Sequence, residues 1–204
     1  VIPQKALDLI LSYENFVGHP YWPGGDSGIT LDFGYDLAHH TELDLRRDWL
    51  EEGRIARADS SEIAGLLASC GRAGKAAEAR LPGLRRVIIA RDDAMAVFNE
   101  RSIPKYERIA REAFPGMENL PDLVQGALVS LVYNRGGSMG TMGHSSWDTR
   151  REMRAIRDII AGTGDLKEIA AEIRSMKRLW INRGLDGLLA RRDAEADLVE
   201  QSIT

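Results

Sequence analysis

Glu14 closes a short apolar run, and a glycine-punctuated stretch follows it: Tyr21-Trp22-Pro23-Gly24-Gly25-Asp26-Ser27-Gly28-Ile29-Thr30-Leu31-Asp32-Phe33-Gly34-Tyr35-Asp36. That order predicts an acid at a helix end, facing a hairpin that carries a hydroxyl and further carboxylates. Cleaving a sugar–sugar bond needs one carboxyl to protonate the leaving oxygen and a second group to hold or activate water across the ring. Glycoside hydrolysis is therefore the chemistry these residue types suggest. Other chemistries find less support. His39, His40 and His144 lack the spacing of a metal-ligand set, so no metal is expected. No phosphate-cradling glycine motif occurs, and no cofactor is expected. Ser145 and Ser146 beside His144 lack the strand-turn-helix context of an acyl-transfer nucleophile.

Several elements must position these groups. Ala6, Leu7, Ile10 and Leu11 recur at helical spacing between Pro3 and Tyr13, which predicts a helix that delivers Glu14. Residues 18–36, rich in glycine and aromatics, read as a twisted hairpin turning at Gly24 to Gly28. Asp59 and Glu62 form a start signal for a helix through about Ala79, ended by Leu81-Pro82-Gly83. Ile63, Leu66, Leu67 and Cys70 share its apolar face, so Cys70 is read as a packed thiol rather than a nucleophile. A second helix is expected from Asp92, with a kink or break at Pro104. Pro121 and Asp122 open a run with Val124, Ala127, Leu128, Leu131 and Val132 that is apolar enough for a central buried helix, stopped at Asn134 and Gly136-Gly137. Further helices are expected from Asp148, from Asp165 with Glu168, and after Gly187.

Composition sets limits. With 204 residues, 44% of them hydrophobic and 28% charged, the chain can bury a substantial core. A formal net charge of −4 argues against a general nucleic-acid partner. Arg150, Arg151, Arg154 and Arg157 cluster on one predicted helix, as a solvated face or a contact for an anionic polymer. No run of apolar residues is long enough to span a membrane. The first residues lack the layout of a signal peptide, and a start without Met reads as a trimmed or excised segment.

Three separated segments carry a family resemblance. Glu14 with Gly28-Ile29-Thr30-Leu31-Asp32-Phe33-Gly34-Tyr35-Asp36-Leu37 resembles the catalytic entrance of phage-type lysozymes, glycoside hydrolase family 24, and especially their pesticin-like branch. Ala127 to Gly137 is similar to that family's buried helix. Trp180 followed by Gly187-Leu188-Leu189-Ala190-Arg191-Arg192-Asp193-Ala194-Glu195 resembles its closing helix. The resemblance implies a mainly α (α+β), lysozyme-like single domain: a small N-terminal β-hairpin lobe, about 14–58, packed on a larger helical lobe, about 59–204, around a central buried helix.

The resemblance also implies a muramidase that cleaves the β-1,4 bond between N-acetylmuramic acid and N-acetylglucosamine. Its partner would be bacterial peptidoglycan, its place of action the cell wall in the periplasm or outside the cell, and its state a monomer. Glu14 would be the general acid, kept protonated by apolar neighbours such as Tyr13 or Phe16. Thr30 would orient the attacking water. The second carboxylate is Asp36 on the pesticin-like spacing and Asp26 on the phage spacing; Asp36 is preferred because Asp26 lies in turn chemistry. Tyr35 and Asn134 would bind substrate, with Trp22 and Arg135 as further candidates. Asp32 stands where the family has glycine. There it either disturbs its neighbours' protonation, leaving an impaired module that binds wall or a protein partner, or points into water.

Overall fold

The structure, a computed structural model, describes residues 2–203. It is mainly helical. Helix α1 (Gln4–Tyr13) leads to strands β1 (Thr30–Leu31) and β2 (Tyr35–Asp36), and α2 (Glu42–Leu45), α3 (Ser60–Leu67), α4 (Gly74–Glu78) and α5 (Arg91–Val97) follow. Then come α6 (Ile103–Ala113), α7 (Asp122–Arg135), α8 (Ser146–Thr149), α9 (Arg151–Ala161), α10 (Leu166–Ser175) and α11 (Asp186–Glu200). None of these helices is long and apolar enough to cross a membrane.

The chain divides into two compact units, Glu14–Ile103 and the remainder, which joins the segment ending at Tyr13 to the segment from Pro104. The division thus differs from the expected lobes in that residues 59–103 belong with the hairpin; α1, which neither expected lobe included, belongs with the C-terminal helices. The boundary at residue 103 follows a π-helical turn over Phe98–Ser102. Pro104 has no N–H for an intrahelical bond, and the wider turn accommodates that loss, so where a kink or a break was expected the backbone stays helical through a π-turn.

In the hairpin unit, β1 and β2 are antiparallel with Thr30 opposite Asp36 and Leu31 opposite Tyr35. The two-strand ladder turns at Phe33-Gly34, where both residues have positive φ, 41° and 76°, and the Tyr35 N–H donates to the Asp32 carbonyl. Paired positive φ gives the twist that short hairpins need. The expected turn at Gly24–Gly28 is instead the loop that brings Tyr21 back to an isolated bridge with Thr30. Phe33 tolerates its strained backbone because its ring is buried between Phe16 and Phe98, with centroids 6.0 and 5.8 Å away. Asp59 caps α3 as expected, accepting the Ser61 and Glu62 N–H groups while the Glu62 carboxylate returns to the Asp59 N–H. The helix stops at Leu67 rather than near Ala79, because Gly71 and Gly74 adopt left-handed φ and restart the chain as α4.

The other unit is built around α7, which is buried from Val124 to Tyr133. Helices α1 and α11 lie against it, α10 lies on α11, and α9 on α10. Gly126 is what lets α1 approach: a Cβ there would overlap the Ala6 methyl. The Arg-Arg-x-x-Glu segment of α11 turns inward. Glu195 Oε1 accepts from Ser130 Oγ at 2.7 Å, Arg192 Nη2 at 2.9 Å and Arg191 Nε at 3.3 Å. The third sequence segment is therefore an element of the core.

Candidate active site

Glu14 is the residue after α1, half-buried, and it begins the hairpin unit. The loop that follows is fixed by Asp32, whose Oδ1 accepts the Val17 N–H at 2.5 Å and the Gly18 N–H at 3.0 Å. Asp32 is 2% exposed. It therefore does not point into water; it ties the segment after Glu14 to the end of β1.

Tyr21, Thr30 and Asp36 form a row. Tyr21 exchanges two backbone hydrogen bonds with Thr30, at 3.1 and 2.8 Å. Thr30 is in turn the cross-strand partner of Asp36. Direct antiparallel partners project their side chains on the same face, so the phenol, the hydroxyl and the carboxylate lie side by side. Burial first, and then the charges of Glu14, Asp32 and Asp36, push the Tyr21 phenol up to about 12. Each of these carboxylates lies near enough for its charge to disfavour the phenolate. Tyr21 thus joins the site through its bridge to Thr30, and its type does not single it out in the sequence. The available signal was its position at the start of the glycine-rich loop, where chain return would set it beside Thr30.

Asp36 is held by its neighbours. Oδ1 accepts the Gly28 N–H at 3.0 Å and the Ala38 N–H at 2.8 Å, and neither bond falls on Oδ2. A Cβ at Gly28 would overlap both Asp36 Oδ1 and the Ala38 backbone, so only glycine permits this close approach. Thr30 is 2% exposed, and its hydroxyl faces the Gly28 carbonyl at a long 3.4 Å. Asp26 lies exposed in the loop between Tyr21 and Thr30, away from this row in the chain's hydrogen bonding.

The expected sugar-binding groups fall elsewhere. Tyr35, expected to offer its ring face, is a core residue: its hydroxyl donates to Asp48 Oδ2 at 2.9 Å and its ring stacks on His40 at 3.8 Å. A phenol hydrogen-bonded to a buried carboxylate, with its face covered, has no surface to give a pyranose. Burial and the Asp48 charge raise its pKa well above the ordinary tyrosine range. Trp22 fastens its own loop, its Nε1 donating to the Ser27 carbonyl at 2.9 Å. Asn134 lies exposed at the C-terminal end of α7, in the other unit, and accepts from Arg192 Nη2 at 3.3 Å. Arg135 donates to the Thr149 carbonyl at 2.6 Å rather than to an acid.

The remaining reactive groups are structurally occupied. Cys70 is half-buried and its thiol is pushed up to about 11, chiefly by burial. A high thiol pKa removes the thiolate needed for nucleophilic work. His40 Nδ1 donates to the Asp36 carbonyl at 2.8 Å. His144 Nδ1 caps its own loop, accepting the Ser146 N–H at 3.2 Å. Searches of family models and of curated proteins find no match to this chain.

Proposed function

We propose that the chain is a glycosidase of the muramidase type with a lysozyme-like fold, cleaving the β-1,4 bond between N-acetylmuramic acid and N-acetylglucosamine in peptidoglycan at the bacterial cell wall. The observation that supports it best is the row of Tyr21, Thr30 and Asp36 across the short sheet, with the charges of Glu14, Asp32 and Asp36 all raising the Tyr21 phenol. One carboxyl to protonate the leaving oxygen and a second carboxylate to activate water is the pair that inverting glycoside hydrolysis uses, and a neighbouring hydroxyl can orient that water. In this reading Glu14 is the acid. Asp36 is the base, working through Oδ2 while two backbone donors hold Oδ1 still. Thr30 lies beside it as the water-orienting hydroxyl, and the neutral Tyr21 phenol is a donor within the same carboxylate group. The monomer performs the reaction without a cofactor.

A second reading has its own observation. Thr30 is almost wholly buried and turned to the Gly28 carbonyl, a placement that suits a module that keeps the fold and binds the wall without turnover. Mass spectrometry of digested muropeptides separates the two. The enzyme reading expects wild-type protein to release reducing-end muramic acid, with Glu14→Gln and Asp36→Asn inert and Asp26→Asn active. If wild type and Glu14→Gln are equally inert while both sediment with sacculi, the binding module is the correct reading.

A further inference from the structure

A groove of about 570 Å³ opens on the unit that contains α7, lined by Asn134, Arg135, Arg150, Arg178, Trp180 and Arg183 among others. That volume suits a small ligand or the head of a larger one. The sequence carries more acid than base overall, yet this wall concentrates guanidinium groups. Asp148 is the acid among the lining residues, and it is already paired with Arg178 at 2.9 Å; Arg178 also engages Glu152.

Arg135 and Arg150 are left without such pairing. Arg135 Nε and Arg150 Nη1 are both removed from water and meet no acceptor among the described residues. Burial pushes the Arg150 guanidinium down from its ordinary range, and burial with the charges of Arg150 and Arg192 pushes Arg135 down to about 10. Partly desolvated like charges side by side are costly unless an anion meets them. Arg183, a lining residue, stands exposed, and the Arg135 guanidinium lies 4.9 Å over the ring of Trp180, another lining residue. The remainder of the arginine-rich stretch is spent locally: Arg154 donates to the Met139 and Trp147 carbonyls, and Arg157 pairs with Asp158.

We propose that this groove is a binding site for a multiply charged oxyanion, a phosphate or a set of carboxylates, held by the guanidinium groups of Arg135, Arg150 and Arg183. Planar guanidinium forks match both oxyanion geometries. The proposal stands apart from the glycosidase reading, since its residues lie in the other unit and its readout is binding alone.

Isothermal titration calorimetry of the full chain tests it, with inorganic pyrophosphate in one arm and tricarballylate in the other. The expected result is saturable one-to-one binding of at least one anion, weakened about tenfold or more in Arg150→Gln and in Arg135→Gln and unchanged in Arg157→Gln. Binding confined to pyrophosphate assigns a phosphate ligand, and binding confined to tricarballylate assigns carboxylates. Arg183→Gln removes an exposed side chain without disturbing the fold, and it is expected to weaken binding severalfold even should the two half-buried variants fail to fold. Absence of saturable binding in both arms, or wild-type affinity in Arg183→Gln, overturns the proposal.

Discussion

Two clusters of ionisable groups in this chain are built on opposite plans. In the unit around α7, Arg191, Arg192, Glu195 and Ser130 are at most 2% exposed and bond to one another. In the hairpin unit, Glu14, Tyr21 and Asp36 are only half-buried, and the charges of several carboxylates bear on a neutral phenol. The first cluster brings opposite charges together; the second sets carboxylates of one sign near a half-buried phenol. Opposite charges bonded to one another fix a core, whereas carboxylates acting on one half-buried phenol hold its proton in place. The Arg-Arg-x-x-Glu segment and the Glu14 segment carry the same sequence-level resemblance, and the structure gives them different work.

That contrast breaks if Glu14 proves dispensable. Glu14→Gln is expected to reduce peptidoglycan cleavage by about 10²–10⁴-fold, the range for loss of a general acid, with an unchanged thermal midpoint. Reducing-end release and a melting curve on the same sample check it, and a large drop in the midpoint would make Glu14 a structural residue instead. Next in size is Glu195→Ala, which leaves Arg191 and Arg192 buried without their shared acceptor and is expected to cost about 3–5 kcal/mol in urea unfolding. A cost below about 1 kcal/mol, the scale of an exposed pair, would show that this network is not the sealed structure described.

Gly28→Ala probes the hairpin by steric means. Its Cβ would overlap Asp36 Oδ1 and the Ala38 backbone, so the carboxylate must move. The expected cost is about 1–3 kcal/mol of stability, the ordinary price of overpacking, together with a loss of cleavage larger than stability alone explains. If activity survives with Asp36 displaced, the base is another group, and Asp26 becomes the residue to test.

The sequence made the helical parts legible and the hairpin only in outline. Helix α7 could be read because its apolar residues occupy every face, and α3 because Asp59 and Glu62 satisfy each other's backbone donors. The end of α3 was misplaced because Gly71 and Gly74 look like tolerated interruptions until their left-handed φ is known. The ladder's turn at Phe33-Gly34 escaped notice for a similar reason: a phenylalanine at positive φ is held there by Phe16 and Phe98, contacts that local turn chemistry does not encode. Tyr35 was read as a sugar platform because its partner Asp48 lies 13 residues on, across the core. Within the candidate site, Glu14, Thr30 and Asp36 are singled out through the family resemblance, and the structure makes Thr30 and Asp36 cross-strand partners. Tyr21 and Asp32 were not, since the role of each depends on a partner that only the folded loop supplies.

The smallest effect is also the most direct measure of that geometry. Tyr21 titrates at about 12 in the folded chain against about 10 for a free phenol. A raised folded pKa means that the folded state holds its proton more tightly, so this contribution to stability is complete below about pH 10 and is lost as pH rises through about 12. Tyr35 and Tyr13 are raised as well, so the alkaline loss of stability is shared, and Tyr21→Phe should remove only part of it between those two values. Phenolate absorbance near the ultraviolet edge, taken as wild type minus Tyr21→Phe, isolates the one residue. Repeating the subtraction in a Glu14→Gln background should move the Tyr21 transition downward, because a neighbouring negative charge has been neutralised. It should not fall all the way to the free value, because burial is the larger cause and remains. A Tyr21 transition unmoved by Glu14→Gln would mean that the glutamate does not face the phenol, and the proposed acid would then be separated from Thr30 and Asp36 as well.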